Sequence, residues 1–165
     1  MKSTLIVLNK GPLIKAITTF ISAFIISYIA FTIIGVNFES TEIIEFQTKE
    51  IFFNIFINNV KVYLILFLGL FLFRIPTYLT LIFNAYLLGF AFAALDNITT
   101  ALAILVHGVF EMTAFLIATT IAFNNYKYVM ENKKPFGVFF LIGIVFLLVG
   151  AIIETYISPI ILKGI

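Results

Sequence analysis

His107 is the single histidine of the chain, and Glu111 stands four residues after it. At that spacing the two side chains share one face of a helix, one turn apart. Gly108 follows His107 and leaves room for a neighbouring helix to approach. A second acid, Glu154, lies far along the chain in another apolar stretch, and Asn84 brings a neutral amide from a third. An imidazole with two carboxyl groups has several chemistries open to it. It can fix helix packing through hydrogen bonds, pass protons or cations, ligate a metal, or meet a partner directly. An ionisable group at mid-bilayer costs about 2.5–3.5 kcal/mol on insertion scales, so each of these groups needs a partner. The metal option is weak at the level of sequence. No second histidine is available for a site with two His and one Glu, or for an H-E-x-x-H helix. No metal or cofactor is expected. The first expectation is a polar core that specifies helix packing. A proton or cation pathway is the alternative.

Signatures of catalysis are scarce. There is no G-x-S-x-G, no Walker A and no H-E-x-x-H. Asp96 is the single Asp, so no aspartyl pair exists, and there is no Cys. Ser22 and Ser27 fall inside the first apolar stretch, where serine usually packs or bonds to backbone carbonyls. Ser158 precedes Pro159. His107 could serve it, but nothing in the spacing asks for the pair. The expectation is a protein that is not an enzyme. Asn97-Ile98-Thr99 matches a glycosylation sequon, yet it lies so close to the apolar stretches that it reads as incidental.

The surroundings of these residues decide their chemistry. Of 165 residues, 62% are apolar and 11% are charged, and the mean hydropathy is +1.18. A soluble domain carries roughly 25% charged residues, so this chain has too few polar side chains to cover a water-facing surface. The class that remains is an all-α, polytopic membrane bundle. The 21 Phe and the absence of Trp fit lipid-facing helices. A net charge of +2 with no basic run gives no reason to expect nucleic-acid binding.

Five spans are predicted, over residues 13–36, 57–75, 78–95, 100–123 and 136–162, in one integral membrane domain covering residues 1–165. The first reads as a retained span, because no small-residue cleavage site follows it. Pro12 and Pro135 fall at or just before helix starts. Pro76 lies in a short link, Arg74 to Thr77, that predicts a tight antiparallel hairpin. Pro159 falls inside the last apolar stretch and should kink or end that helix. Gly69, Gly89, Gly108, Gly143, Gly150 and Ala151 read as helix-packing positions.

The segment from about Asn37 to Asn59 is the longest link. Glu42, Glu45, Lys49, Glu50, Asn54, Asn58 and Lys61 recur at helical spacing, with Ile44, Ile51, Phe52, Ile55 and Phe56 on the other side. This predicts an amphipathic helix at the outer interface that runs into the second span. The simpler reading is a long, partly submerged start of that span; the functional reading is a docking surface for an extracytoplasmic partner.

Lys and Arg set the orientation. With a cytoplasmic N-terminus, Lys2, Lys10, Lys15, Arg74, Lys127, Lys133 and Lys134 are inside, against Lys49, Lys61 and Lys163 outside. The bias predicts an N-terminus in the cytoplasm and a C-terminus outside. At a rise of about 1.5 Å per residue, Glu111 and Asn84 both lie roughly 17 Å below the outer end, His107 roughly 10 Å and Glu154 about 12 Å. Two polar layers follow: Asn84 with Glu111, and His107 with Glu154. Spans three to five should form the core.

Several of these residues also carry a family resemblance. His107-Gly108-Val109-Phe110-Glu111 resembles the H-G-x-x-E signature of the stage II sporulation protein M family. Asn58-Asn59, Gly69, Pro76, Asn84, Leu88-Gly89 and Ala118 fall in the family's order. Ile153-Glu154-Thr155-Tyr156-Ile157-Ser158-Pro159 is similar to its closing I-E-x-Y-I-[ST]-P element. The resemblance covers about Asn54 to Leu162. It implies a membrane scaffold that holds a peptidoglycan-degrading transglycosylase and a partner hydrolase, and is not itself the hydrolase. Similar short proteins accompany circular bacteriocin genes and support production, export or self-protection.

The functional expectation is thus a non-enzymatic membrane scaffold. Its partners would be lipid and other membrane or extracytoplasmic proteins, such as a cell-wall hydrolase or export machinery, with self-association also open. Asn58, Asn59, Arg74 and Pro76 are the candidate partner surface. The rival reading is a proton- or cation-coupled transporter subunit built on His107, Glu111 and Glu154.

Overall fold

A computed structural model describes residues 10–35, 48–95 and 97–162. Among them there is no strand. The helices are α1 (Lys10–Ile34), α2 (Thr48–Leu68), α3 (Ile75–Ala93), α4 (Ile98–Phe123), α5 (Tyr126–Glu131), α6 (Lys133–Ile152) and α7 (Ser158–Leu162). A single π-helical turn, Ile153–Ile157, joins α6 to α7. Five stretches are long and apolar enough to cross a membrane: Lys10–Ile34, Glu50–Leu68, Ile75–Ala93, Ile98–Phe123 and Lys133–Leu162.

Local sequence accounts for the helix ends. Gly35 closes α1 with φ of 72°, and its N–H bonds to the Phe31 carbonyl at 3.0 Å. That left-handed position suits a residue without Cβ. Asn97 begins α4: its side chain accepts from the Thr100 N–H at 2.8 Å. The sequon asparagine is therefore a helix cap. Asn125 caps α5 in the same way, accepting from the Lys127 N–H at 2.9 Å. Pro12 and Pro135 sit in first turns, where the missing N–H has no intrahelical partner to lose.

The second span differs from its expected limits. It ends at Leu68 and not at residue 75, and it begins with the apolar approach segment. The expected interfacial helix is, from Thr48 onward, the first part of α2 itself. Glu42, Ile44 and Glu45 lie outside the described residues. Residues 69–74 form the reverse turn, and Pro76 belongs to the first turn of α3. Phe73 and Arg74 both hold positive φ, 51° and 66°. Left-handed geometry costs roughly 1–2 kcal/mol for each residue that carries Cβ. Thr77 anchors the turn, donating from its hydroxyl to the Leu66 carbonyl at 2.7 Å. The space beside Gly69 is taken by that same Thr77 side chain.

The core also differs from expectation. It is built by α2, α4 and α6, not by spans three to five. Tyr63 and Leu66 of α2, Ala114, Phe115 and Ala118 of α4, and Leu147 of α6 form it, and Leu81 is the contribution of α3. The closest partner of α3 is α1. Gly89 makes that contact: a Cβ there would stand 2.7 Å from the Phe24 carbonyl oxygen. Ser27 crosses the same seam and donates to the Tyr86 carbonyl at 2.7 Å. Phe31 packs edge-on to Tyr86 and Phe90. Phenylalanine thus serves helix seams as well as the lipid face. The outward apolar side chains, such as Ile33, Leu79, Val109 and Ile160, form the sheath expected against hydrocarbon.

The link between the last two spans carries an element that sequence reading missed. The short helix α5 buries Val129 against Leu70, Ile121, Ala122 and Phe136, closing that end of the bundle.

Candidate functional site

Helix α4 runs antiparallel to the end of the chain, and the two keep step every four residues. Gly150 stands against Glu111: a Cβ on Gly150 would meet the Glu111 Cγ at 3.0 Å. Glu154 reaches the level of His107, and Ser158 reaches Ala103, donating from its hydroxyl to that carbonyl at 3.1 Å. Small residues at both ends of this ladder let the backbones approach closely. The three ionisable side chains then converge between them. One ligating atom from each of His107, Glu111 and Glu154 lies within 4.8 Å of the others, and all three residues are half-buried.

Pro159 explains the shape of the Glu154 segment. A proline ring in an α-helix clashes with the carbonyl four residues back, here Thr155. The expected kink or end takes the form of a widened turn over Ile153–Ile157, and the helix resumes through Leu162. The Ser158 N–H bonds to the Ile153 carbonyl, five residues back. π-turns of this kind occur often at functional sites.

The fourth member of the site was expected elsewhere. Asn59 of α2 points inward and donates from its amide to a Glu111 carboxyl oxygen. The sequence placed it on a partner surface. The rotation of α2, with Tyr63 and Leu66 buried one and two turns on, turns Asn59 to the same side. The spacing 59, 63, 66 was the available signal.

Asn84 is not part of the cluster, and the layer expected between Asn84 and Glu111 does not form. Asn84 donates to its own helix, at the Thr80 carbonyl, 2.8 Å away. It lines a groove between α2 and α3 together with exposed Asn58. The reason is the pairing of α3 with α1, which leaves Asn84 on the α2 side. Gly108 is a second correction: nothing lies within 4 Å of where its Cβ would stand. Gly69, Gly89 and Gly150 are close-packed. Arg74 is half-buried and donates to the Asn124 carbonyl at 3.5 Å, and Pro76 is half-buried beside it.

His107 and Ser158 do meet. Nδ1 of His107 lies 3.1 Å from the Ser158 hydroxyl oxygen. The direction of the bond matters. With the Ser158 hydroxyl donating to the Ala103 carbonyl, its oxygen is left to accept from the imidazole Nδ1–H. A serine nucleophile does the reverse and gives its proton to the base. Here the serine orients the ring. A cavity of about 240 Å³ adjoins the cluster, lined by Thr100, Ile104, His107, Glu154, Ser158 and Pro159.

Comparison with known proteins places the chain in a family. An uncharacterized protein of Methanocaldococcus jannaschii is 33% identical in an alignment of length 125 that covers 64% of this chain and 70% of that relative. No solved structure matches the chain. The profile of the stage II sporulation protein M family matches residues 16–159, a range that contains Asn59, His107, Glu111, Glu154 and Ser158. The chain belongs to the stage II sporulation protein M family.

Proposed function

We propose that the protein is a non-enzymatic membrane scaffold that organises other membrane or extracytoplasmic proteins. The processes it would serve are cell-wall remodelling or bacteriocin production and immunity. The N-terminus faces the cytoplasm and the C-terminus the outside, as the Lys and Arg distribution directs. The observation that carries the reading is the direction of the His107–Ser158–Ala103 chain of hydrogen bonds. It supports a brace between helices, because the serine proton is held by backbone and is not offered to the imidazole.

Two surfaces are available to partners in this reading. One is the Asn58 face of α2 beside the groove it shares with Asn84. The other is the Arg74 turn, where Phe73 is 93% exposed next to a cavity lined by Arg74, Asn124 and Tyr126. An exposed aromatic held in a strained turn suits contact with another protein better than packing in its own bundle.

Affinity purification of the tagged chain from its native membrane in mild detergent, with mass spectrometry of what stays bound, tests the proposal. Recovery of a cell-wall hydrolase, reduced in an Asn58→Ala variant, or of an export component or peptide precursor, reduced in a Phe73→Ala variant, is the expected result. Recovery of the chain alone would overturn it.

A further inference from the structure

The residues of the polar cluster have the makings of a ligand set that their sequence spacing did not suggest. His107 and Glu111 come from α4, and Glu154 comes from the π-turn that Pro159 imposes. The Ser158 hydroxyl, donating to the Ala103 carbonyl, favours the Nδ1–H tautomer of the imidazole. A neutral ring then keeps its lone pair on Nε2, the form in which histidine ligates metals. Metal-binding histidines commonly donate their other ring N–H to a fixed acceptor, and Ser158 is that acceptor here. Glu111 is steadied by the Asn59 amide, as ligating carboxylates usually are.

Charge points the same way. Two carboxyl groups beside an imidazole lone pair lie together inside an apolar bundle, with no Lys or Arg in the ligand set. A divalent cation would balance both carboxylates and leave the site neutral. The ligating atoms lie within 4.8 Å of one another. A tetrahedral ion with bonds of about 2.0–2.2 Å needs them about 3.4 Å apart. Rotation about the flexible glutamate side chains, by up to about 1.4 Å, closes that difference. The adjoining cavity of about 240 Å³ offers an approach and space for a water as a fourth ligand. One nitrogen and two carboxylate donors suit a first-row transition ion, whereas calcium takes six to eight oxygens.

We propose that His107, Glu111 and Glu154 bind one first-row divalent transition-metal ion of the zinc class, with Ser158 and Asn59 as orienting residues, and that the ion clamps α4 to the C-terminal end of the bundle. The site goes beyond the scaffold reading and stands or falls without it.

The test uses the full chain, purified in detergent with an affinity tag that contains no histidine. The protein is stripped with chelator, incubated with Zn²⁺ and dialysed, and retained zinc is measured by elemental analysis. One equivalent per chain and a higher melting temperature are expected. Co²⁺ in place of Zn²⁺ should give visible absorption bands of a tetrahedral nitrogen and oxygen site. His107→Gln and Glu154→Gln should lose the retained ion and the bands. Ser158→Ala should keep the fold but weaken Zn²⁺ affinity about 10- to 100-fold, the usual effect of removing an orienting partner. Substoichiometric zinc in wild type, with no shift in melting, would overturn the proposal. So would full retention in both ligand variants, which would place the ion elsewhere.

Discussion

The Ser158 hydroxyl and the Ala103 carbonyl meet at 3.1 Å, and they fix the register between α4 and the end of the chain. Four residues back along one partner and four on along the other, Glu154 meets His107. One step further, Gly150 meets Glu111. The site is the middle of this ladder. Its polar groups are brought together by the same small-residue contacts that pack the helices.

Glu111 tests the packing role of the cluster. In metal-free buffer, Glu111→Gln keeps an oxygen for the Asn59 amide and should melt close to wild type. Glu111→Leu leaves that amide without a partner, at a cost of about 1–3 kcal/mol. Thermal melting in detergent reads the difference, and equal melting of all three proteins would remove the structural role.

Two glycines in apparently similar positions should respond in opposite ways. Gly89→Ala puts a methyl group 2.7 Å from the Phe24 carbonyl oxygen, on backbone that cannot rotate away. It should lower stability by about 1–3 kcal/mol and loosen α1 from α3. Gly108→Ala meets nothing within 4 Å. It should be neutral, or stabilising by up to about 1 kcal/mol through helix propensity. Melting and limited proteolysis of the α1 segment distinguish the two, and equal damage from both would contradict the packing described.

Tyr63 occupies the space beside Gly143, and its hydroxyl donates to the Phe140 carbonyl at 3.0 Å. Tyr63→Phe should cost about 0.6 kcal/mol, the usual worth of a hydrogen bond between membrane helices. Gly143→Ala should cost more, because ring carbons as well as the hydroxyl stand in the way. A double-mutant cycle should show coupling between the two changes, and strict additivity would argue against their contact.

The turn at Phe73 makes a prediction about strain. Phe73→Gly removes the Cβ penalty at φ of 51° and should raise stability by roughly 1 kcal/mol. Phe73→Val should lower it, since a β-branched residue fits that region worst. Melting of the two variants in the same detergent orders them, and the reverse order would dismiss the left-handed assignment.

Orientation can be read directly, because the chain has no cysteine to remove. Single cysteines introduced by Phe73→Cys, Lys127→Cys and Asn97→Cys should report it in intact cells. The first two should resist a membrane-impermeant thiol reagent, and the third should react. Labelling of the first two would reverse the proposed topology.

Composition and periodicity alone determined the class, the number of spans and most of their limits. Long apolar runs interrupted by Pro, Gly and charge leave little freedom when backbone groups must be satisfied within lipid. The helical spacing of His107 and Glu111, and the comparable depths of His107 and Glu154, were legible for the same reason, since rise per residue is fixed. The tertiary structure decided what depended on rotation and partner choice. It paired α3 with α1, which took Asn84 away from Glu111. It turned Asn59 inward, ended α2 at Leu68, and wound the Glu154 segment into a π-turn. Each outcome depends on which face of a nearly uniform apolar helix finds its complement. A sequence so evenly hydrophobic does not label that face. Close contacts such as Gly89 on Phe24 and Gly150 on Glu111 are what select it.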